Sequence, residues 1–151
     1  MSVAFRRESD EEHLEPRCEI PIPPGPNLVT LRGLALITAR VAALEAAVPP
    51  LGEVDARKAA LRDLRYWRQR LATADLRPEP GGHKVQFGSR VRYRLGGKDK
   101  TVTIVGHDEA DPANQLLSFL APLCRALLGA ELGDELEFGA SNAVLEVLEI
   151  G

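Results

Sequence analysis

The sequence predicts an α+β protein in which an antiparallel pair of helices precedes an antiparallel sheet carrying one short helix. Three observations lead there. Apolar residues recur at Leu34, Ile37, Val41, Leu44, Val48 and Leu51 with an unbroken 3-4-3-4-3 spacing, the mark of a helical seam. A second seam of similar length follows the break Pro49-Pro-Leu-Gly52. Beyond Pro78-Glu-Pro-Gly-Gly82 the period changes, and Val91, Tyr93 and Leu95 alternate with Arg90, Arg92 and Arg94 as in a half-buried strand.

Each element can be justified in chain order. Residues 1–28 are charged and then proline-rich (Pro16, Pro21, Pro23, Pro24, Pro26), which leaves little apolar surface and few amide donors, so a disordered or extended tail is expected. Thr30 is suited to cap a first helix. After the proline break, a second helix is expected from about Glu53 to Leu76, with Val54, Leu61, Leu64, Trp67, Leu71 and Ala74 on its inner side. Two seams joined by a short turn make an antiparallel hairpin, an arm over residues 29–77. Residues 78–84 read as a linker. Residues 85–151 then supply the strand at Val91–Leu95, a Gly96-Gly97 turn, a strand at Thr101–Val105, a third at Leu116–Leu120, a short helix at Pro122–Leu128 stopped by Gly129, and closing strands at Glu135–Phe138 and Ala143–Ile150.

Composition sets limits on function. A chain of 151 residues with 27% charged and 44% hydrophobic residues buries one ordinary core or a small core with an extended element. There is no run of 18 apolar residues and no signal-peptide core at the N-terminus, so a cytoplasmic protein without membrane attachment is expected, and a monomer. Cys18 and Cys124 have no second cysteine or histidine at ligand spacing, which argues for reduced thiols and against a metal site. Charge is unevenly spread: residues 1–28 carry 3 basic and 6 acidic side chains, residues 29–77 carry 9 and 5, and residues 78–151 carry 7 and 11. The arm is the basic segment.

No nucleophile triad, phosphate loop or dinucleotide fingerprint is present, so no enzyme is expected. His107-Asp-Glu-Ala-Asp111 lacks the loop geometry that makes sequential acids converge on a cation and reads as a solvated turn. The strand arginines Arg90, Arg92 and Arg94 read as a solvated sheet face rather than a nucleic-acid contact. Lys58, Arg62 and Arg65 lie beside the second seam, as a solvated flank or a stripe for an anionic surface.

Val85-Gln-Phe-Gly-Ser89, Thr103-Ile-Val-Gly-His-Asp-Glu-Ala-Asp111, Ala121-Pro-Leu-Cys-Arg-Ala-Leu-Leu-Gly129 and Gly133-Asp-Glu-Leu136 together resemble the C-terminal domain of the GreA/GreB elongation factors of bacterial RNA polymerase. The resemblance implies an FKBP-like docking domain. Val29–Leu34 and Arg68–Ala74 are similar to the beginning and end of the family's helical arm. Between them this chain is shorter by roughly twenty residues, so the arm loses about 15 Å at about 1.5 Å per residue.

The resemblance also implies a partner, RNA polymerase core, entered through its secondary channel, with nucleic acid of the elongation complex within reach of the arm. In the family a tip of the form GDxxENAEY brings acids to the catalytic magnesium, which belongs to the polymerase; no cofactor of this chain is implied. Only Gly52 and Glu53 match that motif, with Asp55 as the other acid, and both acids read as helix N-terminal residues favoured by the dipole. At the docking loop Pro122 and Arg125 agree with the family, whereas Leu120 and Ala121 replace its polar pair. A short-armed relative also resembles the regulator of nucleoside diphosphate kinase. The expected function is polymerase binding and modulation of elongation without transcript cleavage. The alternatives are a cleavage-stimulating factor acting through Glu53 and Asp55, and a peptidyl-prolyl isomerase whose pocket would draw on Phe87, Tyr93, Phe119 and Phe138.

Overall fold

The computed structural model describes residues 19–48, 50, 52–140 and 143–151. Expectations placed on Cys18, Pro16, Pro49 and Leu51 lie outside the described residues. The elements are β1 (Leu28–Val29), α1 (Leu31–Ala47), α2 (Val54–Ala72), β2 (Asp75–Leu76), β3 (Arg90–Leu95), β4 (Lys98–Val105), β5 (Leu116–Ser118), α3 (Pro122–Leu127), β6 (Glu135–Phe138) and β7 (Ala143–Ile150), with two short 3-10 turns at His107–Glu109 and Pro112–Asn114. The α+β class is the one the sequence predicts. None of the helices among the described residues is long and apolar enough to cross a membrane.

Contacts divide the chain into two compact units. One contains Thr38–Ala72 and the described residues up to Pro24; the other contains Gly25–Ile37 and Thr73–Gly151. The division differs from an arm spanning 29–77, because both ends of that segment pack with the sheet. β1 and β2 pair in parallel, Leu28 with Asp75 and Val29 with Leu76. The Asp75 amide donates to Asn27 O at 2.8 Å and the Arg77 amide to Val29 O at 3.0 Å. That pairing ends the second helix at Ala72 instead of Leu76, and places Leu28 in a strand instead of a tail.

In the helical unit, Val41, Val48 and Leu64 are buried, with Leu44, Ala60, Leu61, Trp67 and Leu71 packed on them. The seam is therefore largely as its spacing implies. Val54 departs from it: at 64% exposure it faces solvent, while Tyr66 and Arg70 are buried. Val54 opens α2, where the helix has not yet gained a partner to cover it.

In the sheet unit the strand order is β5-β4-β3-β7-β6. β3, β4, β6 and β7 pair antiparallel, whereas β5 runs parallel to β4, with Thr103 opposite Leu116 and Val105 opposite Ser118. The sheet is thus mixed, correcting the antiparallel expectation. The reason lies in the connection: between Val105 and Leu116 the chain passes through both 3-10 turns, and Gln115 adopts a left-handed φ of 63°, so the chain comes back around before pairing. No two-residue hairpin turn stands there to reverse it. Between β3 and β4 such a turn exists, and Gly96 and Gly97 have φ of 59° and 79° as it requires.

The alternation along β3 holds: Val91 and Tyr93 are buried and the arginines point outward. Val91, Ile104, Leu127 and Leu145 have no exposed surface and form the centre of the core, closed by Cys124 from α3. Gly106 ends β4 where β1 crosses it. A Cβ there would stand 2.3 Å from the Leu28 carbonyl oxygen, so only glycine permits the crossing.

Candidate functional site

At the turn between the helices Glu53 caps α2. Its Oε1 accepts the Asp55 N–H at 3.1 Å and its Oε2 accepts the Ala56 N–H at 2.5 Å, while its carbonyl accepts the Arg57 N–H at 2.9 Å. Two of the amides that a helix start leaves without intrahelical partners are thereby satisfied, and the negative charge sits at the positive end of the dipole. Asp55 lies in the first turn of α2. Arg57 reaches back to donate to the Val48 carbonyl at 3.0 Å, closing the turn. Gly52 is exposed, with open space around its Cα. The expectation that these acids serve the helix holds in detail for Glu53.

The loop before α3 is built on Ser118, whose hydroxyl accepts the Leu120 N–H at 3.1 Å and whose carbonyl accepts the Ala121 N–H at 2.9 Å. Ala121 is extended (φ −65°, ψ 145°) and Pro122 opens the helix, where its missing N–H costs nothing. Cys124 and Leu127 anchor the inner face of α3 in the core, and burial pushes the Cys124 thiol up to about 11. Leu120 (39% exposed), Pro122 and Arg125 are left on the surface, the last two on one face by their i, i+3 spacing. Ala121 is half-buried beside them. The result is an apolar surface with one guanidinium. Ser118 was not singled out from the sequence, although a serine two residues before an exposed loop residue is the signal of such a turn.

Glu109 departs from the solvated turn expected of His107–Asp111. It is 6% exposed, accepts the Thr30 hydroxyl at 2.6 Å on Oε1, and accepts Arg32 Nη1 at 2.9 Å on Oε2. Thr30 Oγ1 in turn accepts the Gly33 N–H at 3.0 Å, as the cap of α1. A Cβ on Gly33 would lie 2.8 Å from Glu109 Oε1. The carboxylate is thus drawn out of solvent to the start of a helix, where donors and dipole compensate it. It also lines a cleft of about 620 Å³ with Thr30, Arg32, Leu76, Pro80 and Phe87.

That cleft is a poor isomerase pocket. Of the four aromatics, Phe87 alone lines it; Phe119 is buried behind, edge-on to Phe87 with centroids 5.6 Å apart, and Tyr93 lies in the core. Of its charged groups, Arg32 is paired with Glu109 and Arg77 with Asp75 at 3.5 Å.

Of the basic flank, Lys58 and Arg65 are exposed and Arg62 is half-buried. Arg62 makes a long contact with Asp63 at 3.3 Å, and Arg65 is engaged by Glu19. Two of the three strand arginines are neutralised across the sheet: Arg92 by Asp99 at 3.2 Å and Glu149 at 2.8 Å, Arg94 by Asp99 at 2.8 Å. The Arg94 hydrogen bond holds the Asp99 carboxyl below its usual range. Among the described residues no group of His, Cys, Asp or Glu is placed to hold a metal ion.

A five-stranded mixed sheet with one short helix, preceded by a pair of helices, makes this a two-unit α+β protein. Residues 79–151 match the family model "Transcription elongation factor, GreA/GreB, C-term". It is 52% identical over 56 residues to transcription elongation factor GreA of Desulfovibrio desulfuricans, covering 36% of this chain and 35% of that one. It is 41% identical over 73 residues to GreA of Sinorhizobium medicae, covering 46% of each. The chain spans less than half the length of the curated relatives it matches. The crystal structure of GreA factor homolog 1 (Gfh1) of Thermus thermophilus aligns with 84% of this chain and 99% of its own, at 18% identity and a TM-score of 0.40.

Proposed function

We propose that this protein binds RNA polymerase through the surface formed by Leu120, Ala121, Pro122 and Arg125, inserts its helical pair in the secondary channel, and modulates elongation without stimulating transcript cleavage. It acts in the cytoplasm and is not itself an enzyme. The observation that carries the reading is the state of Glu53. Both of its carboxylate oxygens are taken up by the amides of Asp55 and Ala56, so the acid at the family's motif position serves as a helix cap. To act as a magnesium ligand it would have to give up those bonds and approach to about 2.0–2.1 Å, and catalysis tolerates misplacement of only about 1 Å.

Length argues the same way. α1 has 17 residues and α2 has 19, which at about 1.5 Å per residue are rods of about 25 and 28 Å. A tip about 15 Å short of the family's arm falls outside coordination range when the sheet domain docks as family members do.

Two measurements test the reading separately. Pull-down of polymerase core with the wild type and with Pro122→Ala/Arg125→Glu tests docking, where unchanged capture by the double variant removes the assigned surface. Stalled elongation complexes incubated with saturating protein test cleavage. Release of short 3′ RNA fragments above the intrinsic rate, abolished by Glu53→Ala with Asp55→Ala, would promote the cleavage-factor alternative.

A further inference from the structure

On the basic flank of α2, Arg65 is occupied from within the chain. Arg65 Nε donates to Glu19 Oε2 at 3.1 Å and Arg65 Nη2 donates to Glu19 Oε1, a two-bond fork across 46 residues of sequence. This is the geometry by which a guanidinium selects a carboxylate or phosphate. The hydrogen bonds from Arg65 hold the Glu19 carboxyl below its usual range, and the charges of Arg65 and Arg62 add to this. Lys58, Arg62 and Arg65 follow one another at four- and three-residue steps, so they share one side of α2. The segment that delivers Glu19 has the opposite character: residues 1–28 hold 6 acidic and 3 basic side chains, against 5 and 9 in residues 29–77.

We propose that Glu19 is a built-in competitor on this flank: it occupies Arg65 in the free protein, and a phosphate-bearing polyanion engages Arg65 together with Lys58 and Arg62 only by displacing it. The contact is tethered, so the carboxylate is present at high effective concentration without any partner. It is also exposed, with 55% and 44% of the two side chains in solvent, so it is screened by salt and readily exchanged. The device therefore tunes affinity and discriminates against weakly charged partners. It does not depend on polymerase docking by the sheet domain.

A fluorescein-labelled single-stranded DNA oligonucleotide serves as the polyanion probe, with binding to the full chain followed by anisotropy. Glu19→Gln should tighten binding about threefold at low ionic strength, and the gain should vanish near ~0.5 M salt. In an Arg65→Gln background the same Glu19 substitution should change nothing, because its partner is gone. Circular dichroism of each variant verifies that the helices persist. The proposal is overturned if Glu19→Gln binds no more tightly than wild type, if the gain is the same without Arg65, or if none of the proteins binds the probe at low salt.

Discussion

The sheet unit and the helical unit are held together by different physics. In the sheet unit eleven buried residues from strands, α3 and the loops beside them form one cluster, and Val91, Ile104, Leu127 and Leu145 have no exposed surface. In the helical unit the buried cluster among the described residues is Val41, Val48 and Leu64, with the half-buried Leu44, Ala60, Leu61, Trp67 and Leu71 packed on it, and caps and ion pairs at the surface add to it: Glu53 on α2, Arg57 on Val48, Arg68 with Glu45 at 2.8 Å. A core of that size offsets little conformational entropy, so the helical unit should open at a lower free energy than the sheet it is joined to.

The largest test of this contrast is a matched pair of truncations. Leu127→Ala removes a side chain with no exposure from the centre of the sheet core, and should cost about 3–4 kcal/mol in urea denaturation. Leu64→Ala removes one that is 4% exposed from a two-helix layer whose neighbours can collapse inward, and should cost about 2 kcal/mol, with loss of helical signal before the sheet unfolds. Equal losses in a single shared transition would break the comparison.

A second test concerns the start of α1, which belongs to the sheet unit. Glu109→Ala deprives the Thr30 hydroxyl of its acceptor and releases Arg32, at a cost of about 2 kcal/mol. Most of that comes from the Thr30 side, because Arg32 is 66% exposed and its pair is screened. Hydrogen exchange should speed up at Gly33 and Leu34, whose amides bond to Thr30, and stay slow at Val102 and Ile104. Unchanged protection at Gly33 would show that Glu109 does not hold the cap.

The third test is a pH dependence confined to the sheet core. Burial raises the Cys124 thiol from 9.0 to about 11. The folded state therefore keeps a proton that the unfolded chain loses, and stability falls as pH rises from about 9 towards 11. Tyr93, also raised by burial, adds to the same slope above its ordinary 10.0. Cys124→Ala should flatten the first part of that fall. An identical alkaline profile in the variant would mean that the thiol titrates freely.

The legible parts of the molecule were those where one local rule sufficed. The seam from Val41 to Val48, the β3 alternation, the Gly96-Gly97 turn and the Pro122 start each follow from a spacing or a single residue's dihedral preference. What stayed hidden depended on long-range pairing. The β1–β2 pair joins residues 28–29 to 75–76, and nothing in Ala74-Asp-Leu76 distinguishes a helix end from a two-residue strand. Glu109 looked solvated because its compensating donors, Thr30 and Arg32, lie 79 and 77 residues away. Gly106 has φ −76°, open to any residue, and its need for glycine comes wholly from the Leu28 carbonyl that crosses it. At the candidate site, Pro122 and Arg125 were marked by the resemblance to the family, while Ser118 required the loop's hydrogen bonds to be seen.

The smallest effect is expected at the tip, where it bears most on function. Glu53→Ala leaves the amides of Asp55 and Ala56 to water and should cost about 1 kcal/mol, seen as a small fall in the melting of the helical unit with the sheet unchanged. Glu53→Asp keeps an oxygen able to cap and should recover most of the loss, whereas Glu53→Gln retains only one acceptor oxygen and should fall between. A residue whose role is to cap a helix follows that order in stability and leaves the effect on elongation nearly unaltered. A residue that works at the catalytic magnesium would instead lose function with Gln and Ala alike, at a cost unrelated to melting. Measuring both quantities on the three variants separates a structural carboxylate from a catalytic one, and a loss of elongation activity out of proportion to stability would end the capping account of Glu53.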